Sequence, residues 1–272
     1  LAKVNESNDF VYLVSDKNRY FQNPNFCNRV SFDYSLLEWG IPNKDQIDNY
    51  LSNLLEFVNE KSVEYAKSNK LYPDSVFTIV EFIFKNTADK FYSLCKQSNK
   101  TFDYVFLLSG TILETRRQQI IKALKSDEYR KKRVLLVTTQ VVEAGVDIDM
   151  DLGFKDKSLI DSEEQLAGRI NRNVNKQECK LYVFDCNTEK TLYGGDERFK
   201  TMREMGIDVY KEILKKKDFD KLYNIIMGNI DKRNNSQFVH NIDDLKRSVA
   251  TLDYPEVDKL FKIIDGQSQS VF

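Results

Sequence analysis

Val134, Leu135, Leu136 and Val137 form an unbroken apolar run, closed by Thr138 and Thr139 and followed by a polar stretch that carries Gly145 and Asp147. A run without alternation predicts a strand covered on both faces, as in a parallel sheet. The chain then leaves the sheet at Thr138, at the C-terminal edge where open α/β sheets bind their ligands. Hydroxyls at Thr138 and Thr139 would stand there where a phosphate can be met. Gly145 lets backbone approach a ligand closely, and Asp147 offers a fixed acceptor for a ribose hydroxyl or an ordered water. Further on, Arg169 and Arg172 have i, i+3 spacing, which predicts one face of a helix anchored to the sheet by Leu166 and Ile170. Guanidiniums held in that way can aim forked donors at the charge on a transferring phosphoryl group. Singly, each feature has a commoner reading as a turn, a loop glycine or a solvated face. Their joint order and spacing carries the argument.

The rest of the chain supplies the scaffold. Residues 76–84 read as a strand, and Ala88, Phe91, Tyr92 and Cys95 repeat with helical spacing. A strand is predicted over 102–108 and a helix over 113–125, with Leu113, Ile120, Ile121 and Leu124 on one side. After the strand at 134–137 come a short strand at 150–154, the arginine-bearing helix and a strand at 181–185. This alternation predicts an α/β fold with a three-layer parallel sheet. Leu51, Leu54, Leu55, Val58 and Tyr65 mark an amphipathic helix ahead of it, while the first 45 residues mix short β-like runs with turns. After Gly194-Gly195, helical patterns at Met202, Met205, Val209 and Ile213, then at Phe219, Leu222 and Ile226, predict a helical cap. The expected division is a linker and helical segment at 1–70, a sheet domain at 71–190 and a helical extension at 191–272.

Composition limits the partners. Lys and Arg number 41 against 42 Asp and Glu among 272 residues, so bulk charge makes no case for nucleic-acid binding and local patches must supply it. The most basic run, Arg130-Lys131-Lys132-Arg133, reads as a solvated loop ahead of a strand. Cys27, Cys95, Cys179 and Cys186 lack C-x-x-C spacing and fit core packing in a reducing cytoplasm. The strongest apolar run, VFTIVEFIF, is interrupted by Glu81, and no membrane span is expected. The chain begins at Leu1 and has neither G-x-x-x-x-G-K-[ST] nor an Asp-Glu pair after a strand, so it is expected to be a piece of a larger protein.

TTQVVEAGVDID, which includes Ala144, resembles motif V of superfamily 2 helicases, and QLAGRINR resembles motif VI, Q-x-x-G-R-x-x-R. The wording of both, with Ile160-Asp161-Ser162 ahead of Gln165, resembles the CRISPR-associated helicase-nuclease of type I systems. FIFKNTADKFYSLCKQ and VFLLSGTILETRRQQI resemble that family's segments around motif IV, and YPEVDKLFKIID its exit from the helicase core. The resemblance covers residues 76 to 185 well and the flanks weakly. It implies the second RecA-like lobe of an ATP-dependent single-stranded-DNA translocase, with flanking helices, acting in CRISPR interference. ATP and Mg²⁺ would be held mainly by a first lobe. Arg169, Arg172 and Gln165 would be catalytic, and Gly145, Asp147 and Glu143 would lie near the nucleotide. Thr138, Thr139, Ser109, Gly110, Thr111, Asn86 and Arg117 would meet DNA. Where the family has His-Ser-Arg, this chain has Ser109, Gly110 and Thr111, leaving hydroxyls and backbone amides as donors. Implied partners are single-stranded DNA, the first lobe, an HD nuclease domain and the CRISPR surveillance complex. The sole histidine, His240, is followed by Asn241, so HD-type metal chemistry is not expected within these residues. The rival expectations are the second lobe of another superfamily 2 helicase, or a lobe that only binds DNA or protein when isolated.

Overall fold

The computed structural model describes residues 16, 19, 22–23, 27–143, 145–186 and 193–260, leaving the side chains of 231–242 and 260 aside. Ala144, the His240 side chain and the end of YPEVDKLFKIID lie outside the described residues. The chain divides into two compact units at Asp218/Phe219.

The first unit is built on a six-stranded sheet in the order β1-β6-β5-β2-β4-β3. Its strands are β1 (Ser31–Asp33), β2 (Val76–Glu81), β3 (Tyr104–Leu108), β4 (Arg133–Thr138), β5 (Leu152–Asp156) and β6 (Lys180–Phe184), and every pairing is parallel. β2, β5 and most of β4 are buried residue after residue, which is what a sheet covered on both faces requires. β1 draws one of the short β-like runs of the N-terminal region into the sheet.

Alternation sorts the side chains into two layers. On one face lie Thr78, Phe154 and Tyr182, covered by α1 (Ile47–Ser68). Ser62 and Thr78 share a hydroxyl hydrogen bond of 2.8 Å, and the Phe57 ring meets Phe154 and Tyr182 edge-on. The helix buries Leu51, Leu54, Leu55, Val58 and Tyr65, the stripe expected from the sequence. The opposite face carries Phe77, Glu81, Gly153 and Lys155. Ile170 descends onto Gly153 so closely that a Cβ there would meet the Ile170 and Leu181 side chains. Any larger residue at position 153 would therefore require the Ile170 and Leu181 side chains to move.

Helices α2 (Lys85–Ser98) and α3 (Glu114–Lys125), the single turn α4 (Asp127–Arg130) and α5 (Ile160–Ala167) connect the strands. Helix α6 (Glu197–Lys216) closes the unit, with Gly206 at φ 81° breaking its regularity. Phe219–Ala250 and Tyr254–Leu260 are helices α7 and α8 of the second unit. Among the described residues no helix is long and apolar enough to cross a membrane.

Candidate functional site

Parallel pairing dictates the path of the chain after β4. β4 ends at Thr138 on the C-terminal edge, and β5 begins at Leu152 on the opposite edge, two positions away across β2. Residues 139–151 must therefore cross a whole face of the sheet. They join two sets of residues that the sequence placed together.

The first set lies at the C-terminal ends of the neighbouring strands β2, β4 and β3. Asn86 is exposed in the first turn of α2, and Gly110 and Thr111 are exposed just past β3. Ser109 is buried, its hydroxyl 3.4 Å from that of Thr111. Arg117 lies in the first half of α3, half-buried and 4.0 Å from Glu114. Thr139 is half-buried. Thr138 differs from expectation: its fully buried hydroxyl donates to the Leu108 carbonyl at 2.7 Å and ties β4 to β3, so a phosphate cannot use it as a donor.

The second set gathers on the return limb of the crossover. Arg169 and Arg172 do not share a helical face, because α5 ends at Ala167. Beyond Gly168 the backbone is drawn alongside Met150: Met150 N–H donates to the Arg169 carbonyl at 2.8 Å and Asn171 N–H to the Met150 carbonyl at 2.9 Å. Asn171 then takes the left-handed φ of 46°. The arginines converge on the crossover through this extended pairing. Arg169 donates from Nε to the Val142 carbonyl at 3.0 Å and from Nη2 to the Glu143 carbonyl at 2.6 Å. The more exposed Arg172 places Nε 3.2 Å from the Asp147 carboxylate, which also accepts from Lys125 at 2.6 Å. The Lys125 hydrogen bond and charge, then the charge of Arg172, hold the Asp147 carboxyl below its usual range. Gln165 is exposed on α5. Gly145 is exposed at φ 69° with nothing within 4 Å of a built Cβ, so its backbone is open to close approach. A cleft of about 270 Å³ opens beside these groups, lined in part by Tyr72, Lys125, Asp147 and Arg172.

Glu143 sits elsewhere than expected. Its carboxylate turns inward, accepting from Ser162 and lying 3.4 Å from Lys155 Nζ, which also bonds Glu81. Lys155, Glu81 and Glu163 are fully buried. Desolvation alone would lower the Lys155 ammonium, but the carboxylates of Glu81, Glu143 and Glu163 outweigh it and raise its pKa. Burial raises Glu81. It also raises Glu163 to about 7, against the Lys155 charge and the hydrogen bond from Ser158 N–H at 2.7 Å. The members of this cluster come from separate segments of the sequence, and the one signal among them was Glu81 interrupting VFTIVEFIF.

That shift has a sign. The folded protein keeps the Glu163 proton up to about pH 7, whereas an ordinary carboxyl at 4.5 has already released it, so stability falls as pH rises between those values. Glu163→Gln is expected to flatten that part of the stability curve, measured by urea unfolding at a series of pH values. An unaltered slope would place the carboxyl back in its usual range.

Among the described residues no group of His, Cys, Asp and Glu could hold a metal ion. Cys95, Cys179 and Cys186 are buried free thiols.

A family model described as CRISPR-associated nuclease/helicase Cas3, C-terminal, matches residues 79–175. The CRISPR-associated nuclease/helicase Cas3 of Methanothermobacter thermautotrophicus is 28% identical over 170 residues, covering 57% of this chain and 19% of that protein. This chain thus spans about a fifth of that relative. Among solved structures, T. fusca Cas3 with ADP is 16% identical, with a TM-score of 0.48 over 76% of this chain and 26% of that one. The DUF1998 helicase MrfA bound to DNA is 21% identical, with a TM-score of 0.36 over 54% and 19%. The matched span runs from β2 through the Arg169–Arg172 segment and so contains the crossover and both residue sets: over these residues the chain is similar to the C-terminal part of CRISPR-associated nuclease/helicase Cas3.

Proposed function

We propose that this chain supplies the second motor lobe of an ATP-dependent single-stranded-DNA translocase that unwinds foreign DNA for degradation in CRISPR interference, in the cytoplasm. One observation carries the reading: residues 139–151 begin among the DNA-facing candidates at the strand ends and finish beside Arg172. A single crossover tied down at both ends can transmit movement between a DNA backbone and a nucleotide.

In this reading the motor lobe is centred on residues 71–190, with the 1–70 segment contributing β1 and α1 to it and 191–272 extending it. ATP and Mg²⁺ are held mainly by a first lobe of the full-length protein, which also brings the HD nuclease and meets the surveillance complex. ATP supplies the γ-phosphoryl group whose transfer to water drives stepping. This chain's part is cationic and positional. Arg172 extends over the cleft, Arg169 braces the crossover, Gln165 is available to orient water, and Gly145 presents bare backbone. Thr139, with Asn86, Ser109, Gly110, Thr111 and Arg117 around it, meets DNA phosphates through hydroxyls, amides and one charge.

A phosphate-release assay tests the division of labour. The chain alone is expected to show no turnover with or without single-stranded DNA, whereas the full-length protein turns over when DNA is added; turnover by the chain alone would place a complete nucleotide site within it. Thr139→Val in the full-length protein removes one neutral donor and is expected to weaken single-stranded-DNA binding about fivefold, read by fluorescence anisotropy. Unchanged affinity would remove Thr139 from the DNA path.

A further inference from the structure

We infer that Lys155 is a positioning residue for the motor site, fixing through Glu143 the crossover that Arg169 braces; the inference rests on the reading of Arg169 above. Lys155 projects from β5 into the sheet face crossed by residues 139–151, beside Glu81 of the paired strand β2. Its ammonium is fully buried, and such an ion is costly to keep where an apolar residue would pack as well. Glu81 alone could neutralise it, yet Lys155 also holds the Glu143 side chain at 3.4 Å.

Glu143 is tied in two directions. Its carboxylate is held from within by Lys155 and by Ser162 of α5, whose hydroxyl also accepts from Ser158 at 2.9 Å. Its backbone carbonyl, with that of Val142, receives the forked guanidinium of Arg169. The side chain anchors to the sheet and the carbonyl aims the arginine. If the anchor is lost, the backbone of Glu143 is free to rotate and the two carbonyls no longer fix the guanidinium plane. Displacement of a positioned group by about 1 Å costs roughly a hundredfold in rate.

The test uses the full-length protein. Lys155→Met alone leaves Glu81 and Glu143 uncompensated and can fail to fold, so the decisive variant is Lys155→Met with Glu81→Gln, which removes the buried pair together. Between about tenfold and a hundredfold loss in kcat for DNA-stimulated ATP hydrolysis is expected, with KM for ATP unchanged and a cooperative melting transition retained. Glu143→Ala should reproduce the loss, and Glu143→Gln, whose amide oxygen can still accept from both Lys155 Nζ and Ser162, should restore most of the rate. Hydrogen exchange of peptides covering 139–149 should quicken in the double variant. Parent-like exchange there, or parent-like kcat while Arg169→Ala is impaired, overturns the inference. Faster exchange with a silent Arg169→Ala leaves the Lys155 anchor standing and removes the role read for Arg169.

Discussion

Arg172→Ala in the full-length protein is expected to cut DNA-stimulated ATP turnover by about a thousandfold or more while ATP still binds. Arginines that stabilise a transferring phosphoryl group contribute about 10³ to 10⁵ in kcat. Of the two arginines in QLAGRINR, Arg172 is the one with charge to spare. Arg169 spends its Nε and one terminal nitrogen on backbone carbonyls of the crossover. The partner of Arg172 is Asp147, an exposed carboxylate that Lys125 already holds. Exposed pairs of this sort contribute little, on the order of 1 kcal/mol or less, so exchanging Asp147 for phosphate oxygens is inexpensive. Asp147 parks the guanidinium over the cleft without trapping it. Arg172→Lys should recover little, because an ammonium is a point charge where the fork supplies geometry. Turnover of Arg172→Ala within tenfold of the parent would end the finger assignment. A loss confined to KM would instead make Arg172 a ground-state binding group.

How much of this was legible depends on the kind of information each element needed. The strands at 76, 104, 133 and 181 announced themselves by apolar runs, and α1 by its stripe, because burial alone writes those patterns. The direction of the crossover followed once the strands were parallel. The end of α5 did not: Leu166, Arg169, Ile170 and Arg172 keep helical spacing, but Ile170 pairs beside Met150, a contact made by a segment the local pattern does not include. Thr138 and Glu143 depart from the sequence expectation for a related reason. Both stand in motifs whose types suit ligands, yet a strand end buried between neighbours turns its hydroxyl to the sheet, and a loop crossing a face must satisfy a buried lysine beneath it. Lys155 itself could not be found, since its partners come from β2, the crossover and α5.

Arg130 gives the sharpest contrast, and it leads to the second large effect: Asp151→Ala is expected to destabilise the fold by about 3–5 kcal/mol. Read in sequence, Arg130 opens a basic run that looks solvated, and Lys131 and Lys132 are indeed exposed. Arg130 turns the other way, its guanidinium 4.4 Å from the Phe77 ring centroid and 4.9 Å from that of Tyr72, and bonds the fully buried Asp151. Asp151 also accepts from Phe77 N–H at 2.6 Å and lies 3.0 Å from Lys176, itself nearly buried. One carboxylate therefore neutralises two cations, satisfies the entry of β2, and fixes the point where the crossover joins β5. Removing it strands Arg130 and Lys176 in low dielectric with a backbone amide unpaired. Lys176 retains Asp149 at 2.7 Å, so the larger share of the loss falls on Arg130 and β2. Asp151→Asn keeps acceptor and shape but not charge, and should lie between parent and Ala in urea unfolding. Because Asp149 beside it also accepts from Arg172 N–H at 2.8 Å, the damage should reach the motor site as faster exchange around residues 169–173. A loss under about 1 kcal/mol would mean that water reaches these cations.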